Sequence, residues 1–330
     1  MDGLVKGNIM IFRSSRFYLA LLAAAVILIA IPGPRLTGQA QTNQIPLPER
    51  VSDQTYRVSV DLVNVLCSVF DKNTNAFVTN LSQGDFAVYE NNRKQEIKNF
   101  ARETDLPLTI AMLIDTSQSV APKLKFEQEA AIGFFQSTLR DNDRAMLVEF
   151  DSDVSMLQDF TNDPNKMANQ IRKLKAAGGT ALYDAIYKTC DEKLIRETGR
   201  KAIVILSDGE DESSTVNLKQ ATEMALRAEA LIFAISVSQG GFFGTGGGKE
   251  GDTVLKEMSK ETGGRIFFPF KVDELDDAFR QINHELRSQY NIGYLSNNSA
   301  RDGSYRKIEI KVQEGDLRLN YRKGYYAPKS

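Results

Sequence analysis

The period of the hydrophobic positions changes twice along the chain. From Tyr56 the apolar residues alternate, with Val58, Val60 and Leu62 on one parity and Val63, Val65, Cys67 and Val69 on the other. Period-2 patterning this dense in valine predicts strands, and the change of parity predicts a bulge or break. Phe77-Val78, Phe86–Tyr89 and Ile97–Phe100 predict further short strands, with a turn at Asp71–Asn75 and a hairpin turn at Glu90-Asn-Asn-Arg93. From Leu106 apolar runs alternate with helical spacing. Leu108–Ile114 (LTIAMLI) suits a central parallel strand buried on both faces. In 121–139, Phe126, Ala130 and Phe134 recur at i, i+4, i+8 beside a row of Ala131, Phe135 and Leu139, which predicts a helix. Strands are then predicted at 145–150, 154–157 (a short edge strand), 202–206, 231–237 and 265–268, and helices at 164–175, 182–197, 216–229, 252–262 and 273–287. After Gln289 the pattern returns to β: 290–295, 305–312 and 317–321.

Strands alternating with helices predict a doubly wound, mostly parallel α/β sheet. Neither β flank offers enough strands for a stable unit alone. The preferred architecture is therefore one β-sandwich built from both flanks, with the α/β domain inserted, and two separate β appendages as the alternative. The expected boundaries are 41–54 as a polar linker with two prolines, 55–105 as the first β segment, 106–289 as the α/β domain and 290–330 as the last β segment.

Residues 1–40 read differently. Lys6, Arg13 and Arg16 precede an unbroken apolar run from Phe17 to Pro32, followed by small residues ending at Ala40. This is the grammar of a secretory signal. An uncleaved membrane anchor is the alternative, disfavoured because the run is shorter than the ~20 residues that span a bilayer. Either reading expects an exported protein, periplasmic, cell-surface or secreted. Setting aside residues 1–40, with four basic and one acidic residue, leaves 37 basic against 42 acidic, a net charge of −5. Nucleic acid is set aside, because its recognition depends on Lys and Arg contacts to phosphate. The two cysteines, Cys67 and Cys190, are too few for a disulfide framework, and two buried free thiols are preferred over one interdomain bridge.

The candidate chemistry stands at strand ends. Asp115-Thr116-Ser117-Gln118-Ser119 follows the first α/β strand and precedes a helix. Ligands of open parallel sheets bind beyond the carboxyl ends of strands. Carboxylates and hydroxyls are hard oxygen donors suited to Mg²⁺, Ca²⁺ or Mn²⁺. Gly178-Gly179-Thr180 lies before another helix, and Ser207-Asp208-Gly209 ends the AIVIL strand. Alone each is weak, and DxSxS by itself could be a helix N-cap.

Together and in this order they resemble the von Willebrand factor type A domain, including the integrin inserted domain. That family's metal-ion-dependent adhesion site consists of DxSxS, a loop threonine and a strand-end aspartate. The resemblance implies a metal site of Asp115, Ser117, Ser119, Thr180 and Asp208. Ser117 and Ser119 would ligate directly, Thr180 or Asp208 directly or through water, and Asp115 mainly through water. Mg²⁺ is the first expectation, with Ca²⁺ or Mn²⁺ as alternatives. The implied function is gripping an acidic residue of a partner protein, without catalysis. The flanks LSQGDFAVYENNRKQEIKNF and QYNIGYL…YRKIEIKV…YRKGYYAP resemble those of exported bacterial von Willebrand A-related proteins abundant in Acidobacteria. Two other functions stay open: a metal-assisted hydrolase, for which no acid–base group is evident, and an envelope assembly component whose metal is structural. The membrane would be a partner only through an uncleaved N-terminal segment. Asp184 is expected to charge a helical turn and not to ligate.

Other signals are weaker. Gly240–Lys249 fails as a phosphate loop, with Phe243 and Glu250 where Gly and Ser or Thr are needed. The single histidine, His284, sits in the last predicted helix, away from the strand ends, so neither a catalytic triad nor a zinc site is supported. In an integrin-like switch the helix at 273–287 would have to move.

Overall fold

The computed structural model describes residues 62–103, 106–238, 249–313 and 315–329, which belong to one compact unit. The apolar N-terminal run, Val58 and Val60 with the predicted change of parity, and the Gly-rich segment at 239–248 lie outside the described residues. No helix among the described residues is long and apolar enough to cross a membrane.

The first flank forms β1 (Leu62–Asp71), β2 (Phe86–Glu90), β3 (Arg93–Gln95) and β4 (Ile97–Glu103). The centre runs β5 (Leu108–Asp115), α1 (Leu124–Thr138), β6 (Arg144–Phe150), β7 (Val154–Thr161), α2 (Pro164–Ile171), α3 (Leu182–Lys188), β8 (Arg200–Ser207), α4 (Leu218–Arg227), β9 (Ala230–Ser236), α5 (Lys249–Thr262), β10 (Ile266–Phe267) and α6 (Val272–Leu286). The last flank adds β11 (Gln289–Leu295), β12 (Tyr305–Val312), β13 (Leu317–Tyr321) and β14 (Gly324–Tyr326).

The central sheet has the order β10-β9-β8-β5-β6-β7 and is parallel except for β7. Every residue of β5, β8 and β9 is buried. Their apolar runs conceal an alternation. Leu108, Ile110, Met112 and Ile114 of β5 join a core with Phe134 and Phe135 of α1, Met167 of α2 and Phe279 of α6. Ala111 and Leu113 turn to the opposite core, with Leu182 of α3, Ala225 of α4 and Met258 of α5. Covering both faces is what lets parallel strands be apolar throughout.

The two flanks close on each other. One sheet runs β13-β1-β11-β4 and the other β14-β12-β2-β3, so each mixes strands from both ends of the sequence. Their inner faces share one core containing Val65, Cys67, Val88, Tyr290, Ile292 and Ile308. Inside it lies one acidic anchor. Glu90, 3% exposed, accepts from the hydroxyls of Tyr294 (3.0 Å), Tyr325 (2.9 Å) and Ser296 (2.6 Å) and faces the buried Arg306 at 3.7 Å.

Several local expectations are revised. Phe77 makes only an isolated bridge with Phe70, and its neighbour Val78 forms no strand. The helix expected over 182–197 ends at Lys188 and continues as a π turn and a 3₁₀ turn. β3 and β14, three residues each, carry too short a pattern to be anticipated. In α1 the inward positions include Leu124 and Glu127, while Phe126 is 37% exposed. Cys67 and Cys190 are both buried free thiols, one in the sandwich core and one under the central sheet.

Removing the sandwich anchor tests the joint packing of the flanks. Glu90→Ala leaves a buried guanidinium without its carboxylate, a loss of about 3–5 kcal/mol. Urea denaturation should show a midpoint lowered accordingly. An unchanged midpoint would mean that the flanks do not depend on this network.

Candidate metal centre

From β5 the chain passes to β6 on one side, and β8 pairs with β5 on the other. The connection reverses here, which opens a crevice at the carboxyl ends of β5 and β8. The register places Ile114 opposite Leu206, so Asp115 and Ser207 leave the sheet side by side. Asp115 is fully buried. One of its oxygens accepts from the Ser117 amide at 2.8 Å and the other from the Ser207 hydroxyl at 2.6 Å. Ser117 Oγ lies 3.0 Å from Ser119 Oγ, and the Ser119 hydroxyl donates to Asp208 at 2.7 Å. Four of the five expected residues thus form one connected set of oxygen atoms.

Thr180 is brought to the same crevice by its backbone. The Gln118 amide donates to the Gly178 carbonyl (3.2 Å), and the Ala177 amide donates to the Thr116 carbonyl (2.7 Å). The Thr180 carbonyl in turn accepts from the amides of Glu212 and Ser213, both at 2.9 Å. Its loop is therefore stitched to the turn after β5 and to the loop after β8. Gly209 has φ +81°, and a Cβ there would stand 2.3 Å from the Gly251 carbonyl oxygen, so only glycine lets Asp208 leave β8 at this angle. Asp184 accepts from the Thr215 and Val216 amides (3.1 and 3.0 Å) and staples the loop after β8 to α3. His284 is packed on Phe77, its ring 4.5 Å away, at a helix end remote from these strand ends.

Residues 110–210 match the family model for the von Willebrand factor type A domain. The chain carries a von Willebrand factor type A domain. An uncharacterised protein of Borreliella burgdorferi (strain ATCC 35210 / DSM 4680 / CIP 102532 / B31) is 26% identical over 231 residues, covering 63% of this chain and 62% of that protein. The chain thus spans less than two thirds of that relative's length. Among solved structures, the von Willebrand factor type A protein of Catenulispora acidiphila is 14% identical with a TM-score of 0.46, over 74% of each chain. Proximal thread matrix protein 1 of the mussel byssus, with a zinc-occupied MIDAS motif, is 16% identical with a TM-score of 0.48, over 61% of this chain and 50% of that one.

The von Willebrand A domain holds two further groups at this crevice that the sequence reading passed over, Lys123 and Glu127, and gives Ser207, named there only as part of a strand end, the task of holding Asp115. Ser207 stands where a buried-strand residue is expected to be apolar, and that break in the AIVIL run was its signal. Lys123, 4% exposed, donates through Nζ to the Val237 carbonyl. Glu127 is 1% exposed, and neither carboxylate oxygen has a hydrogen-bond partner. Burial pushes its carboxyl up to about 8, with the charges of Asp115 and Asp208 adding to the effect and Lys123 opposing it. Burial also lifts Asp115 to about 6, against the hydrogen bonds from Ser117 and Ser207. Asp208 is the main influence raising Glu210. The crevice therefore concentrates negative charge around hydroxyl and carboxylate oxygens, a hard donor set with a field that favours a cation. Among the described residues no group of three His, Cys, Asp or Glu side chains is arranged to hold a metal. Hydroxyls make up the majority of the donors here.

Glu127 gives a pH signature. A carboxyl whose folded pKa is raised keeps its proton in the folded state above the pH at which the unfolded chain releases it. Its contribution to stability is complete below about pH 4.5 and is lost as pH rises through about 8. In chelator, stability should fall between these limits, and Glu127→Gln should flatten the fall. Superimposable pH profiles of the two proteins would exclude Glu127 as the titrating group.

Proposed function

We propose that this chain is an exported, divalent-cation-dependent protein-binding module whose A domain grips an acidic side chain of a partner protein. Ser117, Ser119, Asp208 and Thr180 would hold the ion, with Asp115 fixed behind them and acting mainly through water. The observation that carries the reading is the connected oxygen set from Asp115 to Asp208 across the ends of β5 and β8. The bound dication, Mg²⁺ in the first instance, would supply an open coordination position for one more carboxylate.

What the chain's own residues do follows from their placement. Ser207 and the Ser117 amide orient Asp115, so its charge faces the serine hydroxyls and not the core. Gly209 lets the Asp208 carboxylate meet Ser119. Asp115 supplies negative potential from the base of the crevice, and Glu127, its carboxyl pushed up to about 8 by burial, adds to it only once deprotonated. Thr180 rides on a loop anchored at both sides, which keeps the rim in place when a partner docks. The signal-like segment at 1–40 supports export, and a donor set in which hydroxyls outnumber carboxylates supports a binding site.

The test is calorimetric titration of Mg²⁺, Ca²⁺ and Mn²⁺ into chelator-stripped protein, beside Asp115→Ala and Ser119→Ala. Saturable binding is expected, weakened about tenfold or more in each variant, as loss of orienting and ligating groups does at metal sites. Exported proteins of the same cell should then be retained by the immobilised chain in Mg²⁺ and released by chelator. Metal binding of equal strength in all three proteins would sink the assignment of the site.

A further inference from the structure

At the other end of α5 from the metal centre lies a groove of about 360 Å³. Lys256 and Lys260 of α5, Arg265 beside β10, Arg318 of β13 and Lys323 all line it, and no carboxylate does. Arg265 is already neutralised by Glu285 at 2.7 Å. Among the described residues the other four have no carboxylate within 4 Å, although Glu261 lies close enough to act on Lys323. Four cations without a salt bridge in one concavity contrast with a net charge of −5 beyond residue 40.

The groove is also bordered by strand edges. β13 is the outermost strand of its sheet and β10 the outermost strand of the central sheet. Residues 318–321 and 264–266 both line the groove. Lysine on an edge strand commonly serves only to block unwanted pairing. That explanation does not cover Lys256 and Lys260, which come from a helix and project into the same space as the strand residues. Aromatic faces hold two of the cations in place. The Arg318 guanidinium sits 4.6 Å from the centre of the Phe70 ring, and Lys323 Nζ sits 3.8 Å from that of Tyr321.

Fixed cations beside an unpaired backbone edge are complementary to an extended chain that carries carboxylates. We infer that this groove binds an acidic, extended polypeptide segment, its backbone along the outer edge of β13 and its carboxylates on Lys256, Lys260, Arg318 and Lys323. This contact is separate from the metal centre. Gly251 of α5 abuts Gly209 beside Asp208, whereas Gly263, just past the last residue of the helix, abuts Arg322. At 1.5 Å per residue the two ends are roughly 18 Å apart, so a single metal-bound side chain cannot reach both.

The probe is a fluorescent peptide of about six glutamates, matched to the length of an edge strand, titrated into the full chain at low salt. Binding should weaken steeply with salt. It should fall about tenfold or more in Lys256→Glu/Lys260→Glu, whose positions are exposed and leave the Arg265–Glu285 pair intact. Arg318→Gln should weaken it as well, and amides 317–321 should gain protection from hydrogen exchange. Chelator and Ser119→Ala should leave binding unchanged, which separates this site from the metal centre. The proposal is overturned if the peptide fails to bind or if the charge reversals leave its affinity unchanged. It is equally overturned if polyphosphate or phosphatidylglycerol vesicles bind in a Lys256-dependent manner while the peptide does not compete.

Discussion

A carboxylate without solvent exposure at the end of a central strand is the constraint on which this molecule turns. Asp115 is buried because β5 is buried along its whole length, and β5 is buried because helices cover both faces of the sheet. An isolated charge there would cost several kcal/mol. Two hydrogen bonds, from the Ser117 amide and the Ser207 hydroxyl, offset part of that cost. They do not offset all of it, and Asp115 remains lifted to about 6 with Glu127 beneath it lifted to about 8. The fold thus sets two carboxyl groups that resist ionisation beside one crevice, and among the described residues the turn after β5, the loop carrying Thr180 and the loop after β8 are fastened together by backbone hydrogen bonds. A cation would relieve the strain that the fold creates.

Much of this was legible in the residues because strands deliver their ends. A run such as LTIAMLI announces a buried parallel strand, and whatever follows it must emerge at a sheet edge where ligands bind. Asp115, Ser117, Ser119 and Asp208 could therefore be placed at strand ends, and the family resemblance grouped them, although 93 positions separate the first from the last. Thr180 was named with them, but its approach depends on amides of the loop after β8, which no side-chain pattern encodes. Glu127 was invisible for a different reason. An apolar-spacing rule assigns inward positions by hydrophobicity, so it chose Phe126 and passed over a charged neighbour that the packing turns inward. Its burial runs against the site's electrostatics, because Asp115 and Asp208 add to the desolvation that disfavours its charge.

The flanks show the same division. Their valine alternation announced strands, and the shortage of strands in each announced a joint structure. Pairing across the whole inserted domain, Leu62 with Leu295 and Glu90 with Ile308, is a long-range choice that local patterning cannot rank. Once paired, the core accepts a buried Glu90 only because Tyr294, Ser296 and Arg306 come from one flank to meet it from the other. The short strands β3 and β14 exist because a neighbouring strand offers a partner edge, and three residues carry no period of their own.

The junction between sandwich and A domain argues against a freely sliding last helix. Only Arg287 and Ser288 separate α6 from β11. Arg287 pairs with Asp143, which is 3% exposed, and donates to the Thr138 carbonyl at 3.1 Å. Two residues earlier, Glu285 is fully buried against Arg265, and Arg200 donates to the Leu286 carbonyl at 2.6 Å. Displacing α6 along its axis would break both ion pairs and leave charges buried without partners, about 3–5 kcal/mol for each. Reversing a two-state equilibrium from 1:99 to 99:1 already requires about 5.5 kcal/mol of differential ligand binding. The geometry therefore favours a last helix held in one position between the sandwich and the A domain.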